Sequence, residues 1–436
     1  MASSAPLLLA YYGDDFTGST DALEFLTRAG IRTALFLAPP TAGQLARHPG
    51  LQAVGVAGLT RSLSPAAMEA ELRPAFAALR ALGPRHVHYK VCSTFDSSPA
   101  TGSIGRATEI GAEVFGGRYV PLLVGAPALG RYCVFGNLFA RLGIGSTGLI
   151  YRLDRHPSMS RHPVTPADES DLRLHLARQT GKRCGLFDIL KTSLSEDAAR
   201  AALDQIVAEG AEIVLFDVLN TGQLARLGML IDGEAGQARP VFSVGSSGIE
   251  MALGAFWAGA NRVTATTSWP DPGPAEPLLV VSGSCSPVTA GQIAWAEANG
   301  FSLVALDPAA PDVATATVAA VAGLKAGRHT VVFTSRGVAA SPVSAEILGG
   351  ALGRIARAAV GQAGIRRLLV AGGDTSSYAG RALGIEAVEM IAPLAPGAPL
   401  CRAFAPGSPA DGLELNFKGG QVGAPDYFGA VARGKL

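Results

Sequence analysis

The chain predicts an α/β protein of two domains, each a mostly parallel sheet flanked by helices. Three observations carry this. Short apolar runs alternate with helical patterns from end to end. The passage from run to helix is repeatedly a short loop of Gly, Ser, Thr or Asp. Four prolines crowd the ten residues 268–277, SWPDPGPAEP, which neither a helix nor a central strand can continue through. At 436 residues the chain exceeds one ordinary core, so domains are expected over 1–262 and 278–436, with 263–277 as linker.

The first unit, Leu7–Ala29, reads as strand, sharp loop and helix, with Ala22, Leu23, Phe25 and Leu26 on the apolar stripe and Gly30 ending the helix. Arg32–Leu37 and Val54–Gly58 read as strands, and Ser64-Pro65 starts a long helix as N-cap and first helical residue. His86–Cys92 alternates like a strand and opens into a Gly/Ser-rich loop before a helix. Tyr119–Val124, Cys184–Ile189, Ile213–Val218 and Val241–Val244 are further strands. Leu138–Leu142 has a helical pattern, and Thr165-Pro166 with Asp168 has the form of a helix start. Beyond the linker, Leu278–Val281, Ser302–Asp307, Thr330–Thr334, Arg367–Ala371 and Leu413–Phe417 read as strands.

Composition excludes several classes. A hydrophobic fraction of 48% with 16% charged residues is not that of a disordered chain. A net charge of +1 leaves no footprint for nucleic acid or an anionic membrane. Five scattered cysteines without a CxxC spacing suggest reduced thiols in a cytoplasmic protein, with neither a disulfide frame nor a zinc site. The apolar N-terminal run lacks a basic flank and reads as a core strand, not a signal peptide; no stretch is apolar enough to span a bilayer, so a soluble protein is expected.

Chemistry concentrates at strand ends. Asp14 and Asp15 follow the first strand, where open α/β sheets bind ligands, and two adjacent carboxylates there are costly to desolvate unless they hold something charged or protic. The competing reading makes them turn and cap residues. Lys90 ends the strand HVHYK, Asp96 lies in the loop beyond it where an Asx turn is the simpler reading, and Arg106 opens the next helix. Gly245-Ser246-Ser247-Gly248 follows another strand. His162 reads first as a structural loop histidine, and His48, His86, His88, His175 and His329 show no metal spacing.

In the second half, Ser282–Ser286, Gly372–Ser376 and Lys418–Gly423 are three strand-end loops of small and hydroxylated residues. Glycine lets backbone N–H groups approach a ligand and a following helix start favours anions, so together they suggest a phosphate or nucleotide cradle. There is no GxxxxGK[ST]. A GxGxxG string at Gly143–Gly148 follows a helical pattern and precedes a strand-like LIYR, the reverse of the dinucleotide context. No GxSxG elbow supports a serine hydrolase.

With GDDFTGSTD at 13–21, YKVCSTFDS at 89–97, HPVTP at 162–166, VGSSG at 244–248, SGSCSPVTAGQI at 282–293 and AGGDTSS at 371–377, the chain resembles the four-carbon acid sugar kinases over nearly its whole length. The resemblance implies an N-terminal domain that binds a sugar acid, a C-terminal domain that binds ATP, transfer of the γ-phosphoryl group to a 4-hydroxyl, and an active site in the cleft between domains. It places Asp14, Asp15, Thr17, Lys90 and the Gly245–Gly248 loop on the substrate side, where Gly18, Asp96, Arg106 and His162 are further candidates. It places Ser282, Gly283, Ser284, Cys285, Ser286, Gly372, Gly373, Asp374, Thr375, Ser376, Gly419 and Gly420 against ATP.

The CSTFDS form resembles the 3-oxo-tetronate kinase branch. Gly13 before the paired aspartates, the extra Pro99 and Ala100, and Gly105-Arg106 depart from that branch and point to a pocket for a different acid. Asp15 is the expected base, with Asp14 a candidate for Mg²⁺ and Lys90 or Arg106 for the substrate carboxylate or the migrating phosphoryl group. ATP and Mg²⁺ are the expected cofactors, and a homodimer is among the expected assemblies. The alternatives are a D-threonate or D-erythronate kinase, a non-catalytic ATP-binding sensor, an aspartyl phosphatase and, with least support, a dehydrogenase.

Overall fold

A computed structural model describes residues 7–144, 147–162, 164–235, 239–337 and 343–435. The strands in the first half are β1 (Leu9–Gly13), β2 (Thr33–Phe36), β3 (Ala53–Ala57), β4 (His86–Lys90), β5 (Val120–Leu123), β6 (Arg131–Val134), β7 (Asn137–Arg141), β8 (Ile150–Arg152), β9 (Cys184–Phe187), β10 (Ile213–Phe216) and β11 (Val241–Gly245). Those in the second half are β12 (Leu279–Ser282), β13 (Ser302–Ala305), β14 (Thr330–Phe333), β15 (Arg367–Ala371), β16 (Ala387–Ala395), β17 (Ala398–Phe404) and β18 (Glu414–Lys418). Two compact units form. One joins the chain up to Thr33 with Ala38–Thr267, and the other joins Ala34–Leu37 with the chain from Ser268 onward.

The first unit carries parallel strands in the order β3-β1-β4-β11-β5-β10-β9. Every residue of β1, β3, β4 and β11 is buried, as a sheet covered on both faces requires. The helix Phe16–Arg28 starts at Asp15, whose carboxylate accepts from Gly18 N, and buries Ala22, Leu23 and Leu26. The helix Pro65–Ala81 is capped by Ser64 with Pro65 at its first position. Its Phe76 packs edge-on against Tyr12 and Tyr89, and both Phe76 and Phe115 pack on Phe242, forming the aromatic centre of the core.

Two sequence expectations fail here. Leu138–Leu142 is not helical: β7 occupies it within the antiparallel sheet β6-β7-β8. Leu138 and Ala140 are buried while Asn137, Phe139 and Arg141 are not, a period of two that so short a run could not separate from a helical one. No helix starts at Thr165-Pro166. Asp168 pairs with Arg178 at 2.8 Å, Thr165 is held by His162, and the helix Leu172–Ala177 is capped by Asp171. In the GIGSTG string, Gly145 and Ser146 lie outside the described residues, and a strand, β8, comes next.

The second unit has parallel strands in the order β13-β14-β12-β15-β18, extended by antiparallel β17, β16 and β2. β2 pairs Phe36 with Ala387 and Leu35 with Val388, so this early strand packs with the late half of the chain. Residues 268–277 form no helix or strand. No described helix is long and apolar enough to cross a membrane.

Candidate active site

In the first unit, β1 lies between β3 and β4, so the chain's order reverses beside it and a crevice is expected at its carboxyl end. Asp14 and Asp15 stand there at 2% and 4% exposure. Arg61, from the loop after β3, spans both: Nη2 and Nε donate to Asp14 at 2.7 and 3.1 Å, and Nη1 to Asp15 at 2.7 Å. Asp15 also accepts from Gly18 N at 2.7 Å and Thr17 Oγ1 at 2.8 Å. Capping a helix and belonging to a charge cluster are thus properties of one residue. Burial holds the Asp14 carboxyl above the usual carboxylate range, against the pull of Arg61.

Lys90 at the end of β4 is fully buried; it donates to Val91 O at 2.9 Å and pairs with Asp21 at 3.2 Å. A strand-end lysine reaching solvent is therefore not what forms. Burial alone would lower Lys90, but Asp21, Glu250 and Asp14 outweigh it and hold the ammonium above its ordinary value. Burial pushes Asp21 up to about 7. These groups converge on Gly18, where a Cβ would lie 2.7 Å from Asp15 Oδ1, 3.3 Å from Lys90 Nζ and 3.6 Å from Arg61 Nη2.

The Gly245–Gly248 loop joins the cluster: Ser247 donates to Asp21, and Ser246 Oγ donates to Val124 O at 2.6 Å. Only glycine fits at 245, since a Cβ would sit 2.1 Å from Leu123 O. His88 steadies the loop beneath, bridging the Gly245 carbonyl at 3.1 Å and the Glu250 carboxylate.

Beyond Lys90, Thr94, Asp96, Thr165 and His175 line a pocket with room for about one water-sized group. The buried Asp96 Oδ1 has no hydrogen-bond partner among the described residues. Arg131 is 6% exposed; its Nη1 donates to the carbonyls of Leu129, Gly130 and Arg141, while its Nε has no partner among the described residues. Arg106 and His162 stand apart from the cluster in their bonding. Arg106 pairs with Glu69 at 2.6 Å and Glu109 at 2.8 Å, and His162 Nδ1 accepts from Thr165 N at 3.1 Å.

Sequence reasoning did not single out Arg61, Asp21 or Arg131. Asp21 reads as the solvated face of a helix, and Arg61 as a loop arginine until β3 is known to adjoin β1.

In the second unit, β12 lies between β14 and β15, and the loops after β12, β15 and β18 meet at this second reversal. Ser286 caps the helix Pro287–Ala298, and Ser284 Oγ accepts from Ser286 N at 3.2 Å. Gly372, at φ 117°, precedes the helix Gly373–Ala382, and its N donates to Lys418 O at 2.9 Å. Ser376 Oγ donates to Gly372 O at 2.7 Å. A Cβ on Gly283 would lie 2.3 Å from Thr375 Oγ1, and one on Gly420 would lie 2.8 Å from Ser284 Oγ. Gly419 lies beside Gly420 in the third loop, while Cys285 and Asp374 are exposed. Two helix starts thus face loops of small residues, an arrangement suited to phosphate.

Among the described residues no three carboxylate, histidine or cysteine groups cluster as a metal cage. Mg²⁺ needs none, since it is commonly held by one or two carboxylates and the nucleotide's own phosphates; the exposed Asp374 fits that part, whereas both oxygens of Asp14 are engaged by Arg61.

Residues 9–253 match the family model of a sugar-binding N-terminal domain, and residues 279–428 that of a nucleotide-binding C-terminal domain. The chain is 44% identical to the 3-oxo-isoapionate kinase of Paraburkholderia graminis, over 99% of this chain and 95% of that one. It is 33% identical to the 3-oxo-tetronate kinase of Methylobacterium radiotolerans, over 97% and 98%. A crystal structure from Salmonella typhimurium LT2 superposes with a TM-score of 0.74 at 25% identity, covering 98% of this chain and 99% of that one. Haemophilus influenzae protein HI1011 shares the fold, with a TM-score of 0.67 at 20% identity over 96% and 98% of the two chains.

Proposed function

The chain belongs to the four-carbon acid sugar kinase family, and from that premise we propose that it transfers the γ-phosphoryl group of ATP to the 4-hydroxyl of a 3-oxo sugar acid. The observation that carries the reading is the buried cluster of Asp14, Asp15, Arg61 and Lys90 around Gly18, two acids and two cations at the end of a central strand. Phosphoryl transfer asks for positioning and charge neutralisation more than covalent chemistry. Lys90 and Arg61 meet the substrate carboxylate. Asp15, oriented by Gly18 N and Thr17, receives the hydroxyl proton. The three glycine loops of the second unit take the phosphates, and Asp374 would hold a Mg²⁺ ion, which would supply neutralising charge to them.

Of the 3-oxo acids, 3-oxo-isoapionate is favoured by the 44% relative and by the departures from the 3-oxo-tetronate form at Gly13, Pro99, Ala100 and Arg106. 3-oxo-tetronate is the second reading, supported by the CSTFDS segment and the 33% relative. The test is ADP release by purified protein with Mg-ATP, offered 3-oxo-isoapionate, 3-oxo-tetronates, and D- and L-threonate and erythronate. Fastest turnover is expected on 3-oxo-isoapionate. ADP release on none of the panel would reject the kinase assignment, and a preference for threonate or erythronate would reject the 3-oxo class.

A further inference from the structure

Lys418 closes β18, and its side chain is fully buried in the second unit. Its Nζ donates to Thr289 Oγ1 at 3.0 Å and lies 5.9 Å from the centre of the Tyr427 ring. No described carboxylate forms an ion pair with it, whereas Lys90, equally buried in the first unit, has Asp21. The surrounding elements supply no counter-ion either. Glu414 and Arg367 pair with each other at the start of β18 and β15, Asp426 pairs with Arg433, Glu297 pairs with Arg336, and Asp374 and Arg402 are exposed. Tyr427, the other titratable side chain against it, donates to Asn416 Oδ1 at 3.0 Å.

An uncompensated buried ammonium is costly, and this one touches the first turn of the helix Pro287–Ala298, the end of a helix that repels cations. The same Thr289 hydroxyl donates to Gly420 O at 3.0 Å, tying the lysine to the third glycine loop. Ser282 Oγ, at the end of β12, is buried without a hydrogen-bond partner among the described residues. The place therefore has donors and a basic amine and lacks an anion.

We propose that Lys418 is the cationic contact for the terminal phosphates of the bound nucleotide, and that it takes up one proton from solvent when the nucleotide binds. This rests on the kinase reading. In the free protein, burial alone pushes Lys418 down to about 7, so above that pH the side chain is largely a neutral amine. Phosphate oxygens favour the ammonium and restore it; a proton moves from solvent to Nζ, and no covalent bond changes.

The test is calorimetric titration of the full chain with ATP, ADP and AMP at pH 8, in two buffers of different ionisation enthalpy, for the wild type and Lys418→Met. Close to one proton taken up per ATP or ADP is expected in the wild type. K418M is expected to take up none, to bind ATP and ADP about 10- to 100-fold more weakly, as loss of a charged hydrogen bond implies, and to bind AMP with little change. Its melting temperature should rise, since a buried amine that must give up its proton on folding has become a methionine of similar length. Wild-type binding of ATP without proton uptake, or equal ATP affinity in K418M, would overturn the inference while leaving the kinase reading intact. A wild type that binds neither ATP nor ADP would overturn both. Should K418M fail to fold, the wild-type proton count still decides.

Discussion

At the scale of single residues, the first unit's cluster is organised by Arg61, which answers two buried carboxylates at once. Asp14 and Asp15 were legible because adjacent acids at a strand end are hard to explain without a partner; the partner was not, because one arginine in LTRS has no local pattern. Lys90 was legible as a candidate, but its burial depends on Asp21 a helix away. Asp15 can be tested cleanly. Asn caps helices as well as Asp, so Asp15→Asn should keep the helix Phe16–Arg28 and nucleotide affinity while lowering kcat by about a hundredfold or more, the usual cost of losing a catalytic base. Steady-state ADP release and circular dichroism check it. Near-normal turnover would remove Asp15 from the chemistry.

Among elements, the parallel strands and their glycine-ended loops could be read in advance because each apolar run is bounded by its own punctuation. Contextual pieces could not. β7 is too short to show its period, and the β16–β17 hairpin carries Pro393, Pro396 and Pro399, which argue against a strand until register shifts around Ala392 accommodate them. The loop after β15 shows how tightly the second site is built. Gly372 sits at φ 117°, and a Cβ there would come 2.9 Å from Thr375 Oγ1 and 3.3 Å from Ser284 N. Gly407, at φ 79°, has nothing within 4 Å of a Cβ. Gly372→Ala and Gly407→Ala should each lose about 1–3 kcal/mol in urea denaturation, from backbone strain. Only G372A should also weaken ATP binding. Equal ATP affinity in the two variants would mean that the loop tolerates displacement.

For the molecule as a whole, Lys418 ties stability to pH. A lysine in the unfolded chain titrates near its ordinary value of about 10.4, whereas the folded one titrates at about 7. Between these values the unfolded state binds the extra proton, so stability from this group rises with pH and the penalty is greatest below pH 7. The urea midpoint of K418M should exceed that of wild type most at pH 6–7, with the gap closing toward pH 10; a constant gap would deny the shift.

The α/β class and the order of strand and helix were visible from the start, but the membership of β2 was not, because Thr33–Phe36 looks like any buried strand. Ala34–Leu37 belongs with residues that begin only at Ser268. During translation this edge strand is therefore made early and cannot find its antiparallel partner, Ala387-Val388, until most of the message has been read. A gene split between Thr267 and Ser268 would strand four residues on the wrong fragment and leave β16 with an open edge, inviting a foreign strand to take the vacancy.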